Sequence, residues 1–421
     1  MQPIRYITRK KTRECMFVEG DCIDIDPVGK TVVVEDNSEL KGDVSKQTLK
    51  YDYLIVACGA ENATFGIPGV REHSCFLKEI WDARKIRTKL MDCLETAAFP
   101  GQTESEVDRL LNMVVVGGGP TVSIEITEFV TNLPIFLNAQ GVEYAAELHD
   151  FLVEDLTRWY PDMAGKIKIT LIEATNNVLP MFSKQLIEYT EKTFAENKVT
   201  ILNNTMVKEV KDKEITVLNK DKKLETIPYG LLVWATGNTA RPVVSNLIKK
   251  LNPALQTQRR GLVVDEYLKV KGADDIYCLG DASATKFAPT AQVAAKQGKY
   301  LSDRFNRIGY LEADKDNMER SGVKFSDAVS LLPPFSFDNM GMLAYIGSDK
   351  AIADFPGGIQ FGGMMTYYFW RSAYLSNLFS MRNSPLTSVE AKETKATAAV
   401  NLTIFVECFG IPLDAKVVAI F

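Results

Sequence analysis

Residues 112–121, NMVVVGGGPT, followed after an interval by residues 141–148, GVEYAAEL, decide how this chain folds. The run Val114-Val115-Val116 is apolar on both faces and stops at Gly117, Gly118 and Gly119, with Pro120 and Thr121 behind them. Glycines there let the chain turn sharply out of a strand and bring its backbone close to a pyrophosphate. A helix should follow at once, opening on another glycine, with its first amides facing the phosphate. Val122 stands where that glycine is required, and Gly141 supplies it later. Joining Thr121 to Gly141 would give GGGPTGVEYAAEL, the strand, turn and helix of a dinucleotide site, with Glu143 in the first helical turn and an amphipathic helix running to about Trp159. The segment 122–140 (140 − 122 + 1 = 19 residues) reads either as a translated intron or as an insertion. In both cases it is expected to displace the helix amides from the turn.

Other strands repeat the plan. YDYLIVACGAE (51–61), LLVWATGN (231–238) and DIYCLGDAS (275–283) are apolar runs that end in small residues. Such strands belong to the middle of doubly wound parallel sheets, whose carboxyl ends are where ligands bind. The fold class is α/β with Rossmann-like nucleotide-binding domains. A further strand, KIKITLIEA, ends at Glu173, where a carboxylate can accept from an adenosine ribose 2′-OH and repel a 2′-phosphate. The following ATNN contains no Arg or Lys, so NADH is expected ahead of NADPH.

A chain of 421 residues is too long for one ordinary core. The expected layout is a first nucleotide-binding unit over about 1–80, an NADH-binding domain over 81–240, a return to the first unit over 241–325, a C-terminal segment over 326–383 and a divergent tail over 384–421. Residues 308–330 are charged and weakly patterned, and read as an exposed connector. The net charge of −5, with interspersed signs, excludes the basic stripe that nucleic acid requires. Seven scattered cysteines form no CxxC pair, which argues against zinc and against a disulfide framework. His73 and His149 read as surface residues. No run of about 18 apolar residues exists to span a membrane. Residues 361–379 place Phe361, Met365, Tyr368, Leu375 and Phe379 on one helical stripe, which suits a helix lying in a membrane interface.

Together FGIPGV (65–70), FLKEIWDARKIR (76–87), the interrupted glycine motif, IPYGLLVWATGN (227–238), IYCLGDA (276–282), PTAQVAAKQGKYL (289–301) and LAYIGSDKAIAD (343–354) resemble the fungal and plant type II NADH:quinone dehydrogenases. The resemblance covers nearly everything up to about Asn383. It implies FAD as redox relay, NADH as donor, ubiquinone as acceptor and peripheral attachment to the mitochondrial inner membrane, and it leaves homodimerisation open. It assigns Ala57, Gly59, Ala60, Gly280 and Asp281 to the flavin and Gly117–Thr121, Gly141, Glu143, Glu173, Ala235, Thr236 and Gly237 to NADH. Gln292 is implied at the quinone, where the family pattern AQxAxQ is broken by Lys296. The family also carries a first strand and glycine-rich turn ahead of the residue that corresponds to Met1, so the flavin domain is expected to lack its central strand. The apolar second half of the tail has no expected role. Two rival readings remain: a soluble flavin-dependent disulfide or ferredoxin reductase, and a non-catalytic product. Disulfide chemistry needs paired cysteines, and no two here lie within five positions of each other.

Overall fold

The computed structural model describes residues 16–40, 42–118, 140–322, 324–338, 341–376 and 417–420. The chain forms two compact units, one of residues 1–61, 239–338 and 399–421, the other of 62–238 and 339–398.

The second unit is built on a five-stranded parallel sheet in the order Cys75–Phe76, Leu231–Trp234, Asn112–Val116, Lys168–Ile172, Val199–Leu202. Leu231–Trp234 and Asn112–Val116 are the strands that the sequence marks as apolar on both faces. All four residues of the first are buried, as are Met113 to Val116 of the second. Parallel neighbours need crossovers, and helices supply them. Ile80–Ala98 opens on a reciprocal cap in which Glu79 and Asp82 satisfy each other's backbone amides. Gln140–Phe151 continues through a π-helical turn, Leu152–Leu156, to Thr157–Trp159, so the helix ends where its pattern in the sequence ends. Residues 342–363 add an antiparallel meander of Met342–Gly347, Lys350–Phe355 and Ile359–Gly363, followed by the helix Met364–Ser376. Phe361 therefore lies in a strand, and the apolar stripe expected of it begins only at Met364.

In the first unit Ile276–Cys278, Tyr53–Val56 and Val417–Ile420 form a parallel sheet in that order. Leu54, Ile55 and Val56 have no exposed surface. The helix Ala291–Ala313 packs Phe305 edge-on to Tyr53 and Tyr277, with centroids 5.4 and 4.9 Å away. Its first turn is capped by Thr290, whose Oγ1 accepts from Val293 N. Two expectations change here. Residues 308–330 are largely helical, the long helix running on to Ala313 and Lys315–Arg320 and Phe325–Ser330 following it, while the stretch beyond Gly309 stays mostly exposed as expected. The apolar end of the tail, for which the sequence suggests no role, supplies the strand Val417–Ile420 beside Tyr53–Val56.

Candidate functional site

The glycine turn is built by close contacts that only glycine allows. Gly117 leaves the strand at φ +109°, where a Cβ would stand 2.7 Å from Thr236 Cβ and 2.9 Å from Ala235 O. Gly141 sits directly against it, since a Cβ on Gly141 would be 1.7 Å from Gly117 O. The expected displacement is thus not seen at Gly141: the helix start meets the first glycine in spite of the residues between them. Gly119, Pro120 and Thr121 lie outside the described residues.

Glu173 is not the solvated surface carboxylate that its residue type would suggest. It is 6% exposed, and its two oxygens accept from Gly118 N and Thr175 N, both at 2.8 Å. The carboxylate therefore ties the glycine turn to the end of the neighbouring strand. Ala235, Thr236 and Gly237 follow the adjacent central strand, with Ala235 N donating to Val116 O and Gly237 at φ +76°. Glu143 faces the meander, its Oε1 accepting from Tyr345 N at 3.2 Å. One helical stretch later Asp150 accepts from the Tyr345 hydroxyl and from Ser348 N, and burial, then the Asp150 charge, push that phenol far above its ordinary range. Glu143 and Asp150 thus brace the helix from behind, a role invisible in the sequence because their partner lies about 200 residues on. His149 is less exposed than expected, with a side chain 15% accessible and Nδ1 3.1 Å from Asp150 Oδ1.

At the carboxyl ends of Tyr53–Val56 and Ile276–Cys278 stand Ala57, Gly59, Ala60, Gly280 and Asp281. Gly59 takes φ +68° with open space where a Cβ would be. Gly280 takes φ +64°, and its N donates to Gln297 Oε1 at 2.7 Å. Gln297 has no exposed surface, and its Nε2 donor has no partner among the described residues. Arg260 lies near Asp281; burial lowers its pKa while the Asp281 charge opposes the shift. A positive-φ turn, open space and an unused buried donor suit a flavin dinucleotide at this edge. Gln297 and Arg260 were missed from the sequence, although the extra glutamine beside Lys296 was a visible signal.

Gln292 and Lys296, four residues apart, share the side of the long helix away from buried Gln297. Gln292 is exposed in the first turn. Lys296 places Nζ 4.8 Å from the centre of the Phe337 ring and 3.4 Å from Asp338 O.

Cys22, Cys58, Cys75, Cys93 and Cys278 are all free. Burial pushes Cys58 up to about 11 and Cys278 well above the ordinary thiol value, so neither is poised as a nucleophile. Among the described residues there is no cluster able to hold a metal and no helix long and apolar enough to cross a membrane. The helix Met364–Ser376 nonetheless exposes Met364, Met365, Tyr368 and Phe369, each more than half accessible, while Trp370 on its other face is 5% exposed and stacks on Tyr345.

Residues 6–298 match the pyridine nucleotide-disulphide oxidoreductase family, and residues 339–396 match the NDH2 C-terminal domain. The chain is 46% identical to the external alternative NADH-ubiquinone oxidoreductase of Yarrowia lipolytica mitochondria, over 93% of this chain and 69% of the relative. It is 40% identical to the external NADH-ubiquinone oxidoreductase 2 of Saccharomyces cerevisiae mitochondria, over 93% and 70%. The solved structure of NDH2 from Plasmodium falciparum in complex with NADH superimposes with a TM-score of 0.69 at 25% identity, covering 96% of this chain and 86% of that one.

Proposed function

From the premise that the chain belongs to the NADH-ubiquinone oxidoreductase family, within the pyridine nucleotide-disulphide oxidoreductases, we propose that it oxidises NADH and reduces ubiquinone at the mitochondrial inner membrane without moving charge across it. The observation that carries the reading is the glycine turn closed by Gly141, with the buried Glu173 carboxylate tied to its second amide. Gly117, Gly118 and Gly141 let backbone approach the dinucleotide, and the family resemblance assigns Gly119, Pro120 and Thr121 to the same cofactor. Glu173 accepts from the ribose 2′-OH and opposes a 2′-phosphate. Glu143 holds the helix in place, and Ala235, Thr236 and Gly237 form the opposite lip of the turn.

Ala57, Gly59, Ala60, Gly280 and Asp281 hold FAD, which when bound takes hydride from NADH and passes electrons to quinone. The protein's own part is to hold ring systems in register and keep water away. Gln297 keeps the Gly280 turn in place and has a donor left for the flavin. Gln292 and Lys296 face the quinone, Lys296 bringing a positive charge where the family pattern has a neutral amide. In domain terms the flavin is assigned to residues 1–80 and 241–325, NADH to 81–240 and membrane contact to 326–383.

The apolar face of Met364, Met365, Tyr368 and Phe369 supports attachment to a membrane surface. Burying such side chains gains roughly 1.5–3 kcal/mol each, enough for several together to hold a peripheral protein. The test is spectroscopic. Purified protein should show flavin absorbance that NADH bleaches without oxygen and a short-chain ubiquinone restores. A colourless protein, or one bleached equally well by NADPH, would overturn the flavin or the Glu173 assignment respectively.

A further inference from the structure

A dinucleotide laid across the carboxyl edge of a parallel sheet needs contacts on both sides of its pyrophosphate. In the five-stranded sheet the glycine turn follows Asn112–Val116, and Glu173, assigned to the adenosine ribose, follows the neighbouring Lys168–Ile172. The nicotinamide half then extends the other way, over the ends of Leu231–Trp234 and Cys75–Phe76. Those two strands pair in parallel as Val233↔Cys75 and Trp234↔Phe76, so they end side by side. Just beyond them Lys78 Nζ donates to Asn238 Oδ1 at 2.7 Å, a bond between residues 160 positions apart in the chain. Both side chains are half-buried. The main chain on the lysine side is fixed by Asp82, whose Oδ2 accepts from Lys78 N at 3.0 Å and from Glu79 N at 2.9 Å. On the asparagine side Gly237, at φ +76°, is packed so closely that a Cβ would stand 2.5 Å from Phe65 Cζ.

Resting on the reading that NADH lies across this edge, we propose that Asn238 receives the nicotinamide carboxamide, donating from Nδ2 to its carbonyl oxygen, and that Lys78 is the positioning residue that sets the orientation of the amide. A lysine ammonium has donors only, so the atom of Asn238 that faces it is the oxygen. The bond is charge-assisted, which holds the amide that way round. The Nδ2 donors are turned away from Lys78, and with Oδ1 occupied the amide offers a ligand donors. The carboxamide carbonyl is the one carbonyl group in NADH, and it belongs to the half that reaches these strands. The ring beside it becomes cationic when hydride leaves, so a neutral amide is a better neighbour than an ammonium would be.

The test titrates the holoenzyme calorimetrically with two ligands that it cannot turn over. Tetrahydro-NAD keeps the carboxamide but gives no hydride, whereas ADP-ribose lacks the nicotinamide and keeps everything else. Asn238→Asp retains an acceptor for Lys78 and removes the donor. It should weaken tetrahydro-NAD at least about tenfold while leaving ADP-ribose within about twofold of the parent. Lys78→Met should weaken tetrahydro-NAD at least about threefold and spare ADP-ribose, and Lys78→Arg, which still donates, should bind both within about twofold of the parent. Equal losses for the two ligands, or no loss for tetrahydro-NAD, in Asn238→Asp overturn the Asn238 assignment. Should that variant not fold, Asn238→Ala decides by the same comparison. Lys78→Met that binds as the parent does overturns the positioning role. A parent chain that binds neither ligand removes the nucleotide reading and this assignment with it, whereas unchanged variants of a parent that binds both remove this assignment alone.

Discussion

Replacing Gly141 by Ala sets two effects of opposite sign against each other. Within a helix, Gly→Ala is worth up to about 1 kcal/mol in favour of the folded state. Against that, the new Cβ would stand 1.7 Å from Gly117 O, where real contacts of this kind stay beyond 3.0 Å, so something must withdraw by about 1.3 Å. Gly117 cannot be the one to yield. Its N is held by Ile172 O at 2.8 Å, and Ala235 and Thr236 stand behind it. The helix must move, and overpacking of this kind costs about 1–3 kcal/mol. The clash wins, with a net loss of about 1–2 kcal/mol, or roughly 2–8 °C in Tm for a unit of this size. A helix start withdrawn by that distance stretches an amide–phosphate bond beyond useful length. Losing one charge-assisted bond, at about 1.5–3 kcal/mol, weakens NADH binding roughly 10- to 150-fold. Calorimetry and titration of NADH fluorescence measure both effects. Gly165→Ala is the control, since no atom lies within 4 Å of a Cβ there; it should be neutral or slightly stabilising. Should Gly141→Ala keep its Tm and bind NADH within about twofold of the parent, the contact does not position the helix and the reasoning fails.

Glu173→Gln leaves one acceptor for the two amides now served by the carboxylate, which should cost about 1–3 kcal/mol of stability and narrow the ratio of kcat/KM for NADH over NADPH; an unchanged ratio removes Glu173 from the discrimination. Replacing both Met365 and Phe369 by Glu puts charge on the exposed face of the 364–376 helix and should release the protein from sedimenting liposomes without lowering Tm; undiminished sedimentation would place the membrane contact elsewhere. The thiol of Cys58, raised by burial from an ordinary 9.0 to about 11, stays protonated in the folded chain. Its contribution to stability is therefore complete below pH 9 and lost as pH rises through about 11. Iodoacetamide at pH 8 should leave Cys58 and Cys278 intact until urea is added, and rapid labelling of the folded chain would contradict their burial. Gln297→Leu removes both the bond to Gly280 N and the unused buried donor, and should lower flavin content as read from the ratio of visible to ultraviolet absorbance; full flavin retention would show that the Gly280 turn stands without it.

Much of the molecule is legible in the order of its residues because the signals are local. Strands apolar on both faces that end in glycine need no partner to be recognised, and Asn112–Val116, Leu231–Trp234, Tyr53–Val56 and Ile276–Cys278 all lie in parallel sheets. The amphipathic run from Gly141 to Trp159 is helical for the same reason, since its periodicity is a property of neighbouring residues. What the residue order could not supply depends on contacts between distant segments. Along the chain the 19 residues of 122–140 part the turn from its helix. In space Gly141 is seated by Gly117 and Ala235, because packing responds to distance through space and not to separation along the chain. Glu173 changes from a plausible surface carboxylate to a buried tie between two loops for the same reason. The tail is the clearest case: VVAI carries no motif, and the strand it pairs with lies more than 360 residues upstream, a contact between distant segments that residue order does not encode.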